Sequence, residues 1–161
     1  MIIYEYTNKM YIARQDLRQI RRIIVADYRE TVDYILGIPL FAQKIGKENL
    51  SSLLCRLGNP EKAIPAVHVA GTNGKGSTCR ALAQMLTGMG YRVGLFTSPH
   101  LVSINERIQI DGENISDADF VWAFETVKEK FTQHPSFFEV MFAMAAVYFR
   151  EKTVSYTHLR A

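Results

Sequence analysis

The apolar residues of this chain change their spacing along its length, and these changes predict an alternation of helices and strands. Apolar positions three and four residues apart predict short helices over 31–36 and about 48–57. A strand is predicted over about 66–70, a helix from there to about residue 89, and a second strand over 92–97. Two strands joined by a helix run parallel with a right-handed crossover, so the pattern predicts an α/β fold.

A strand, a turn and a helix are predicted after that unit. Residues 107–110 alternate apolar and polar side chains as a strand does, and Asp111-Gly112 is a tight-turn sequence. Ser116 stands where an N-cap would begin a helix that covers about 120–131.

The run 137–149 is apolar and alanine-rich and predicts a helix, in which Glu139 is the only charge. A carboxylate in such a setting is costly unless it is paired, used in chemistry or placed in the first turn, where the helix dipole stabilises it. From Thr153 the apolar pattern stops, and residues 153–161 supply no buried strand. We therefore expect the helix 137–149 to keep apolar surface exposed.

The chain has 161 residues, of which 48% are apolar and 22% charged, enough for one globular domain with a real core. Its net charge is +3, and its densest basic group comprises Arg14, Arg18, Arg21 and Arg22. A solvated helix face explains these arginines as well as a nucleic-acid groove does, so nucleic-acid binding is unsupported. Residues 1–28 form an unassigned N-terminal extension.

The two cysteines, Cys55 and Cys79, are far apart and lack a metal-ligand spacing. They indicate reduced thiols in a cytoplasmic protein. The sequence has no apolar run long enough to span a membrane and no secretory signal at its N-terminus. The expectation is a cytoplasmic protein without a membrane partner.

A glycine-rich stretch lies between the first strand and the following helix, with the sequence Gly71-Thr72-Asn73-Gly74-Lys75-Gly76-Ser77. Its glycines allow the backbone to adopt positive φ and to come close to an anion. Successive N–H groups and the positive end of the helix then point at one spot, which predicts phosphate binding. Lys75 supplies a positive charge, and Ser77 or Thr78 supplies a hydroxyl for a phosphate or its Mg²⁺.

This stretch departs from the usual P-loop pattern, which has Ser or Thr directly after the lysine and a glycine six residues before it. Here Gly76 follows Lys75, and Val69 takes the earlier position. The departure speaks against a P-loop kinase. The alternative to phosphate binding is a plain glycine-rich turn, which rarely needs three glycines and a lysine.

Ser98 and His100 follow the second predicted strand. Ligands of open parallel sheets bind beyond the carboxyl ends of the strands, so Ser98 would lie beside the glycine loop if the two strands were neighbours. Its hydroxyl could then ligate a metal held by nucleotide phosphates. His100 is either a ligand or base, or a structural hydrogen-bonding residue, and the second role is the commoner one for a lone histidine.

Four stretches closely resemble the folylpolyglutamate synthase/dihydrofolate synthase family of Mur ligases. They are Val67–Ser77, Thr97–Leu101, Asn105–Ile108 and Ser136–Glu139, the last with serine where the family has threonine. The resemblance covers about 30–152 and implies a truncated parallel-sheet P-loop nucleotide-binding domain, similar to the central domain of Mur ligases. It identifies 29–152 as the N-terminal part of an ATP-binding ligase domain.

The family's chemistry implies that ATP phosphorylates a carboxylate of dihydropteroate or of a folate, and that the amine of L-glutamate attacks the acyl phosphate. By this resemblance Lys75 is catalytic, Ser98 and Ser77 bind Mg²⁺, and Ser136 and Phe138 lie by the pterin. Core packing is the simpler explanation of any one phenylalanine. The resemblance also implies a monomeric parent enzyme. The nucleotide-binding residues would be Gly71, Thr72, Asn73, Gly74, Lys75, Gly76, Ser77 and Thr78.

The family's later motifs are missing from this chain, including a Glu-x-Gly-x-Gly-Gly stretch whose glutamate binds Mg²⁺, a later histidine ligand and a C-terminal domain. Residues 153–161 resemble no part of the family, and we hypothesise that this tail is translated adapter sequence joined to a broken gene. The chain alone is therefore expected to be inactive as a ligase. The alternative is a non-catalytic nucleotide-binding module that acts with a partner chain.

Overall fold

A computed structural model describes residues 27–38, 48–132 and 135–159. Nearly all of the N-terminal extension 1–28 lies outside these ranges, as do residues 160–161 of the tail. Two short 3₁₀ turns cover Pro60–Lys62 and Ile104–Arg107. The helices are α1 (27–36), α2 (Glu48–Arg56), α3 (Lys75–Gly88), α4 (Asp117–Lys128) and α5 (Phe137–Glu151). The strands are β1 (Ala66–His68), β2 (Val93–Phe96), β3 (Ile108–Ile110), β4 (Glu113–Asn114) and β5 (Tyr156–Leu159).

The described strands form one five-stranded sheet in the order β1-β5-β2-β3-β4. β5 runs parallel to both β1 and β2, whereas β3 pairs antiparallel with β2 and β4. The predicted α/β fold with a parallel sheet is confirmed, and an antiparallel hairpin extends one edge. The predicted turn joins β3 to β4, where Asp111 and Gly112 both have positive φ, 53° and 86°.

The prediction that residues 153–161 supply no strand is wrong, because β5 occupies a central place in the sheet. Thr157 pairs with Ala66 on one side and with Gly94 on the other, and its side chain is buried. The backbone groups of β5 are paired with a neighbouring strand on each side. Such pairing cannot be inferred from the spacing of apolar residues along the sequence. The boundary at residue 152 and the origin of the tail stay predictions.

Helix α5 forms the centre of the core and packs against α2, α4 and β2. Ten of its fifteen residues are buried, so the expectation of an exposed apolar surface on this helix is wrong. A Cβ added to Gly94 of β2 would lie 2.9 Å from the ring of Phe149, which shows how closely α5 approaches the sheet. The largest fully buried side chains include Phe96, Phe120, Phe124, Phe149, Met141 and Met144.

Helix α3 covers the opposite face of the sheet and is much more exposed. Gly94 of β2 faces α5, whereas its neighbours Val93 and Leu95 line a groove beside α3. Cys79 is the one buried residue of α3. The helix ends where predicted, since Gly90 adopts φ 87° and Tyr91 N–H returns to the carbonyl of Leu86.

Candidate nucleotide-binding site

The glycine loop connects the carboxyl end of β1 to the first turn of α3. Gly71 has φ 151° and Gly74 has φ 73°, two conformations that residues with a side chain rarely adopt. Gly74 is the N-cap of α3 and offers no side-chain cap, and a Cβ added to it would meet nothing within 4 Å. The backbone at the start of α3 is therefore open to an approaching ligand.

Lys75 is the first residue of α3, and its ammonium turns back onto the loop. Its Nζ donates to the carbonyl oxygens of Gly71 and Thr72, the second at 3.0 Å. The hydroxyl of Thr78 donates to the carbonyl of Gly74 at 3.0 Å, one turn earlier in the helix. Lys75 and Thr78 thus brace the loop, whereas the side chain of Ser77 is exposed.

The charge at this helix start is positive and unopposed within the first turn. No acidic residue lies in the first turn of α3, and the N–H groups of Lys75, Gly76 and Ser77 lack partners within the helix by its geometry. The helix dipole and the Lys75 ammonium add to the same field. This arrangement suits a phosphate group, which the glycine-rich sequence predicted.

Ser98 lies farther from the glycine loop than it would if β1 and β2 were neighbours in the sheet. It follows β2 and precedes Pro99 through a cis peptide bond, but β5 separates β2 from β1. Within the described ranges, no three His, Cys, Asp or Glu side chains are grouped so that they could hold a metal ion. The Mg²⁺ roles of Ser77 and Ser98 therefore remain predictions.

His100 lies in a hydrogen-bonded loop beside the start of α5. Its Nδ1 accepts a hydrogen bond from Nε of Arg107 at 2.7 Å, and the Arg107 guanidinium lies 4.9 Å from the centre of the Phe137 ring. Burial and the Arg107 charge lower the pKa of His100, and the Glu106 carboxylate raises it by less. A neutral imidazole that accepts from Arg107 fits the structural alternative for His100.

Glu106 shapes the segment between His100 and Arg107. Its carboxylate accepts the N–H groups of Leu101, Val102 and Ser103 at 2.7, 3.0 and 2.9 Å. These backbone hydrogen bonds lower the pKa of Glu106. The role of Glu106 was not predicted, although Ser103 and Glu106 have the spacing of a capping box, which is the signal that would have revealed it.

Ser136 and Phe138 lie together at the start of α5. Ser136 is the N-cap, and its N–H and hydroxyl both donate to Oε2 of Glu139, at 2.7 and 2.9 Å. The same oxygen receives a 3.5 Å contact from Nδ2 of Asn49. Glu139 thus lies in the first turn of α5, where the helix dipole stabilises a carboxylate. This is one of the three settings in which the sequence allowed a charge in this apolar helix.

Phe138 presents part of its ring to solvent. Its side chain is 37% exposed, and its ring stacks on Phe142 and lies 5.8 Å from that of buried Phe96. Part of the ring therefore packs against other aromatic rings, and part is available to a ligand. The structure brings His100 to the start of α5 through Arg107 and Phe137, while the glycine loop lies across β5.

A strand, a glycine-rich loop with a lysine and a helix start, together at the carboxyl edge of parallel strands, define an α/β P-loop nucleotide-binding domain. No family model matches the sequence. The dihydrofolate synthase/folylpolyglutamate synthase of Bacillus subtilis is 43% identical over 131 residues, 77% of this chain and 30% of that protein. The folylpolyglutamate synthase of Lacticaseibacillus casei is 40% identical over 136 residues, 80% of this chain and 32% of that protein.

Solved structures agree with the sequence relatives. The folylpolyglutamate synthase of Thermotoga maritima has a TM-score of 0.77 at 40% identity, covering 83% of this chain and 32% of that one. An FPGS complex with AMPPCP and folate has a TM-score of 0.78 at 38% identity, covering 83% of this chain and 34% of that one. By sequence and by fold, the chain belongs to the folylpolyglutamate synthase/dihydrofolate synthase family, whose members are ATP-dependent ligases.

The chain spans about a third of the length of the relatives that it matches. Helices long and apolar enough to cross a membrane do not occur in the described part of the chain.

Proposed function

We propose that this chain carries the nucleotide site and part of the pterin site of an ATP-dependent ligase that joins L-glutamate to dihydropteroate or to a folate. The observation that carries the proposal is the glycine loop, with Gly71 and Gly74 at positive φ and Lys75 at the open start of α3. Relatives of this family have been solved with ADP or with AMPPCP and folate, which supports ATP as the phosphoryl donor. The parent would be a monomeric cytoplasmic enzyme.

The chemistry explains why an amide ligase needs a phosphate cradle. A carboxylate resists attack by an amine because oxide is a prohibitive leaving group. Transfer of the terminal phosphoryl group of ATP to a carboxylate oxygen gives an acyl phosphate and ADP. The amine of glutamate then attacks the acyl carbon, phosphate leaves with the carbon–oxygen electron pair, and the nitrogen loses a proton. Negative charge on the phosphoryl oxygens is what backbone N–H groups and Lys75 would stabilise.

Lys75 changes partners in this proposal. Its Nζ now donates to two loop carbonyls, and a bound phosphate would offer it a stronger, charge-assisted bond. The loop N–H groups hold the anion, and Thr78 keeps its bond to the helix backbone.

The residues present fit Mg²⁺ only in part. Mg²⁺ prefers oxygen ligands in an octahedral shell, and Ser77 and Ser98 would each supply a hydroxyl. No cluster of carboxylate, imidazole or thiolate groups accompanies them among the described residues. Bound Mg²⁺ would neutralise phosphate charge. On the substrate side, the exposed part of Phe138 offers a face on which a pterin ring would stack, next to Ser136 at the helix start.

Nucleotide binding by the purified 161-residue chain tests the proposal. Titration with a fluorescent ADP analogue should give saturable binding, and Lys75→Ala should weaken it by at least about tenfold, since a charge-assisted contact is lost. Lys62→Ala removes an exposed lysine of a different element, the 3₁₀ turn Pro60–Lys62, and should leave binding unchanged. Failure of the wild-type chain to bind any adenine nucleotide at millimolar concentration would refute the proposal.

The chain alone should release no glutamate-dependent phosphate from ATP and a folate, because it spans a third of its relatives' length. Turnover by the pure chain would contradict this expectation. The second candidate function, a nucleotide-binding module that acts with a partner chain, is favoured by the same coverage and by the open edge of the sheet at β1. Turnover restored by a partner chain would identify a split ligase, whereas nucleotide-dependent association without turnover would identify a binding module.

A further inference from the structure

We infer that the groove between α3 and the strands β2 and β3 is a second small-molecule site, which takes a linear zwitterion of dipeptide size. The groove, called the α3–β3 groove below, has a volume of about 410 Å³, and small-molecule sites usually have roughly 300–1,000 Å³. Arg80 and Thr87 belong to its helix wall, and Gln109 and Asp111 belong to its sheet wall. The inference goes beyond the proposed function, because this ligand is neither the nucleotide nor the pterin.

The α3–β3 groove is separate from the glycine loop. That loop precedes the first residue of α3, whereas the groove begins more than one turn later along the helix, at Arg80. Its far end lies at Asp111 and Gly112, where β2 begins and the antiparallel β3 ends. This is the edge of the sheet opposite to the glycine loop. A ligand in the groove would therefore leave the nucleotide site free.

Gln109 supplies the first hydrogen-bond acceptor of the sheet wall. Its Nε2 donates to the carbonyl of Glu106 at 3.1 Å and to Oδ1 of Asn114 at 2.9 Å, which uses both N–H groups of the amide. Its Oε1 has no partner among the described residues, although Gln109 is only 9% exposed. This oxygen is not sealed in the core, since in the described ranges only Glu61 has a fully enclosed side-chain oxygen without a partner. A donor in the groove would therefore satisfy Oε1 of Gln109.

Asp111 supplies the second acceptor, a carboxylate in a fixed position. It lies in the tight turn between β3 and β4 with φ 53°, and its Oδ1 accepts the N–H of Val93 at 2.8 Å. This bond orients the carboxylate at the groove and leaves Oδ2 for a ligand. A carboxylate and an amide oxygen on one wall suit the N–H groups of an ammonium ion.

The helix wall carries the opposite charge. Arg80, Gln84 and Thr87 are spaced by about one turn of α3, so their side chains share the face of the helix that lines the groove. Neither ion pair in the described part of the chain includes Arg80, so its guanidinium does not pair with Asp111 across the groove. A guanidinium in this position suits a carboxylate, which it binds through two N–H groups.

The two walls together define the ligand. Their charges have opposite signs and do not reach each other, so a complementary ligand carries an ammonium at one end and a carboxylate at the other. Val93 and Leu95 line the groove with apolar side chains, which suit a short aliphatic group. A dipeptide has this form, whereas a free amino acid carries both charges on one carbon atom. We therefore expect the groove to prefer a dipeptide such as alanyl-leucine to free leucine.

The test titrates the full 161-residue chain with L-alanyl-L-leucine and follows the NMR signals of its amide groups. Saturable shifts are expected for the side-chain amides of Gln84 and Gln109 and for the N–H of Gly112, which line the groove. The signals of the glycine loop should stay unchanged. Free leucine should need a higher concentration to give the same shifts.

Two variants remove one charge from each wall. Arg80→Gln and Asp111→Asn should each weaken the binding of alanyl-leucine by at least about fivefold, because each loses a charge-assisted bond. Asparagine keeps an oxygen that can accept from Val93 and tolerates positive φ, so the turn is preserved. Lys62→Gln and Glu113→Gln remove one charge of each sign outside the groove and should bind as the wild-type chain does.

Modified ligands assign each charge of the ligand to its wall. N-acetyl-alanyl-leucine lacks the ammonium, so Asp111→Asn should not weaken its binding further. Alanyl-leucine amide lacks the carboxylate, so Arg80→Gln should not weaken its binding further. These comparisons use one folded variant with two ligands, and a general disturbance of the fold would affect both ligands alike.

Absence of saturable shifts in the wild-type chain, or shifts at the glycine loop in place of the groove, would overturn the inference. Tighter binding of free leucine, or equal losses for all ligands in a groove variant, would also overturn it, because the two walls would not recognise two separate ends. ADP is titrated in parallel. If ADP binds and the dipeptide does not, the groove is not a site while the proposed nucleotide function stands, and the reverse result separates the two in the other direction.

Discussion

Helices α3 and α5 cover opposite faces of the same sheet and differ sharply in burial. α5 buries ten of its fifteen residues, whereas α3 buries one of fourteen. The glycine loop opens α3, the exposed helix, and the capping box of Ser136 and Glu139 opens α5, the buried one.

This difference separates stability from binding. Apolar burial dominates the free energy of folding, so the α5 face carries most of the stability. The α3 face offers open backbone groups and exposed methionines that folding leaves unused. Substitutions on the α5 face should therefore change the free energy of unfolding, and those on the α3 face should change the affinity for a bound ligand.

The largest effect is expected from Phe149→Ala on α5. Phe149 is 1% exposed and contacts the sheet at Gly94, so its removal leaves a cavity and should cost about 3–5 kcal/mol of unfolding free energy. Met85→Ala on α3 should change that free energy by no more than about 0.5 kcal/mol. Urea denaturation of both variants measures the two values. Equal losses at the two sites would break the comparison between the helices.

A smaller loss of unfolding free energy is expected from adding a side chain at Gly94, where there is no room for it. An added Cβ at Gly94 would meet the Phe149 ring at 2.9 Å, so Gly94→Ala should cost about 1–3 kcal/mol by overpacking. Gly88→Ala, at the end of α3, meets nothing within 4 Å and should be neutral or stabilising by up to about 1 kcal/mol.

A double variant checks the cause of that loss. Phe149→Leu should recover part of the stability lost in Gly94→Ala, because the smaller side chain relieves the contact. Thermal and urea unfolding of the two single variants and the double variant give the coupling free energy. Strict additivity would show that the close approach of Gly94 and Phe149 is not the source of the loss.

Elements with local signals were predictable from the sequence. The helix after the glycine loop, its end before Gly90, the turn at Asp111-Gly112 and the N-cap at Ser116 all occur where predicted. Each depends on residues within one or two turns of the feature, because caps, tight turns and positive φ are local requirements.

Features that depend on distant residues were not predictable. β5 has the sequence Tyr156–Leu159, without an apolar run, and its place between β1 and β2 comes from pairing with residues about 60 to 90 positions earlier. The bond from Arg107 to His100 and the contact from Asn49 to Glu139 likewise join separate elements. At the candidate site, the sequence therefore predicted individual residues but not which of them lie together.

An intermediate effect is expected at the start of α5. Ser136→Ala removes the acceptor for the Glu139 N–H and a donor to its carboxylate, and should cost about 1 kcal/mol. Ser136→Thr keeps the hydroxyl and should unfold at nearly the wild-type denaturant concentration. If Ser136→Ala also matched the wild-type chain, the capping box would not contribute to the stability of the buried helix.

The smallest effect concerns Glu106, which belongs to neither helix and orders the loop beside the site. Its bonds to the N–H groups of Leu101 and Ser103, with a third to Val102, hold the pKa of Glu106 below its ordinary value of 4.5. A carboxyl group with a lowered folded-state pKa binds fewer protons in the folded state. Its stabilising contribution is therefore complete above the ordinary value and is lost as the pH falls through the folded-state pKa.

Glu106→Gln should accordingly lower the melting temperature slightly at neutral pH, and the difference from the wild-type chain should shrink as the pH falls below the ordinary carboxyl value of 4.5. Glu113→Gln is the matched control, because Glu113 lies on the exposed edge strand β4, away from the Glu106 loop. Melting curves across this range decide the question. A difference that stays constant with pH would assign the effect of Glu106 to the shape of its side chain, and the loop would then depend on packing as α5 does.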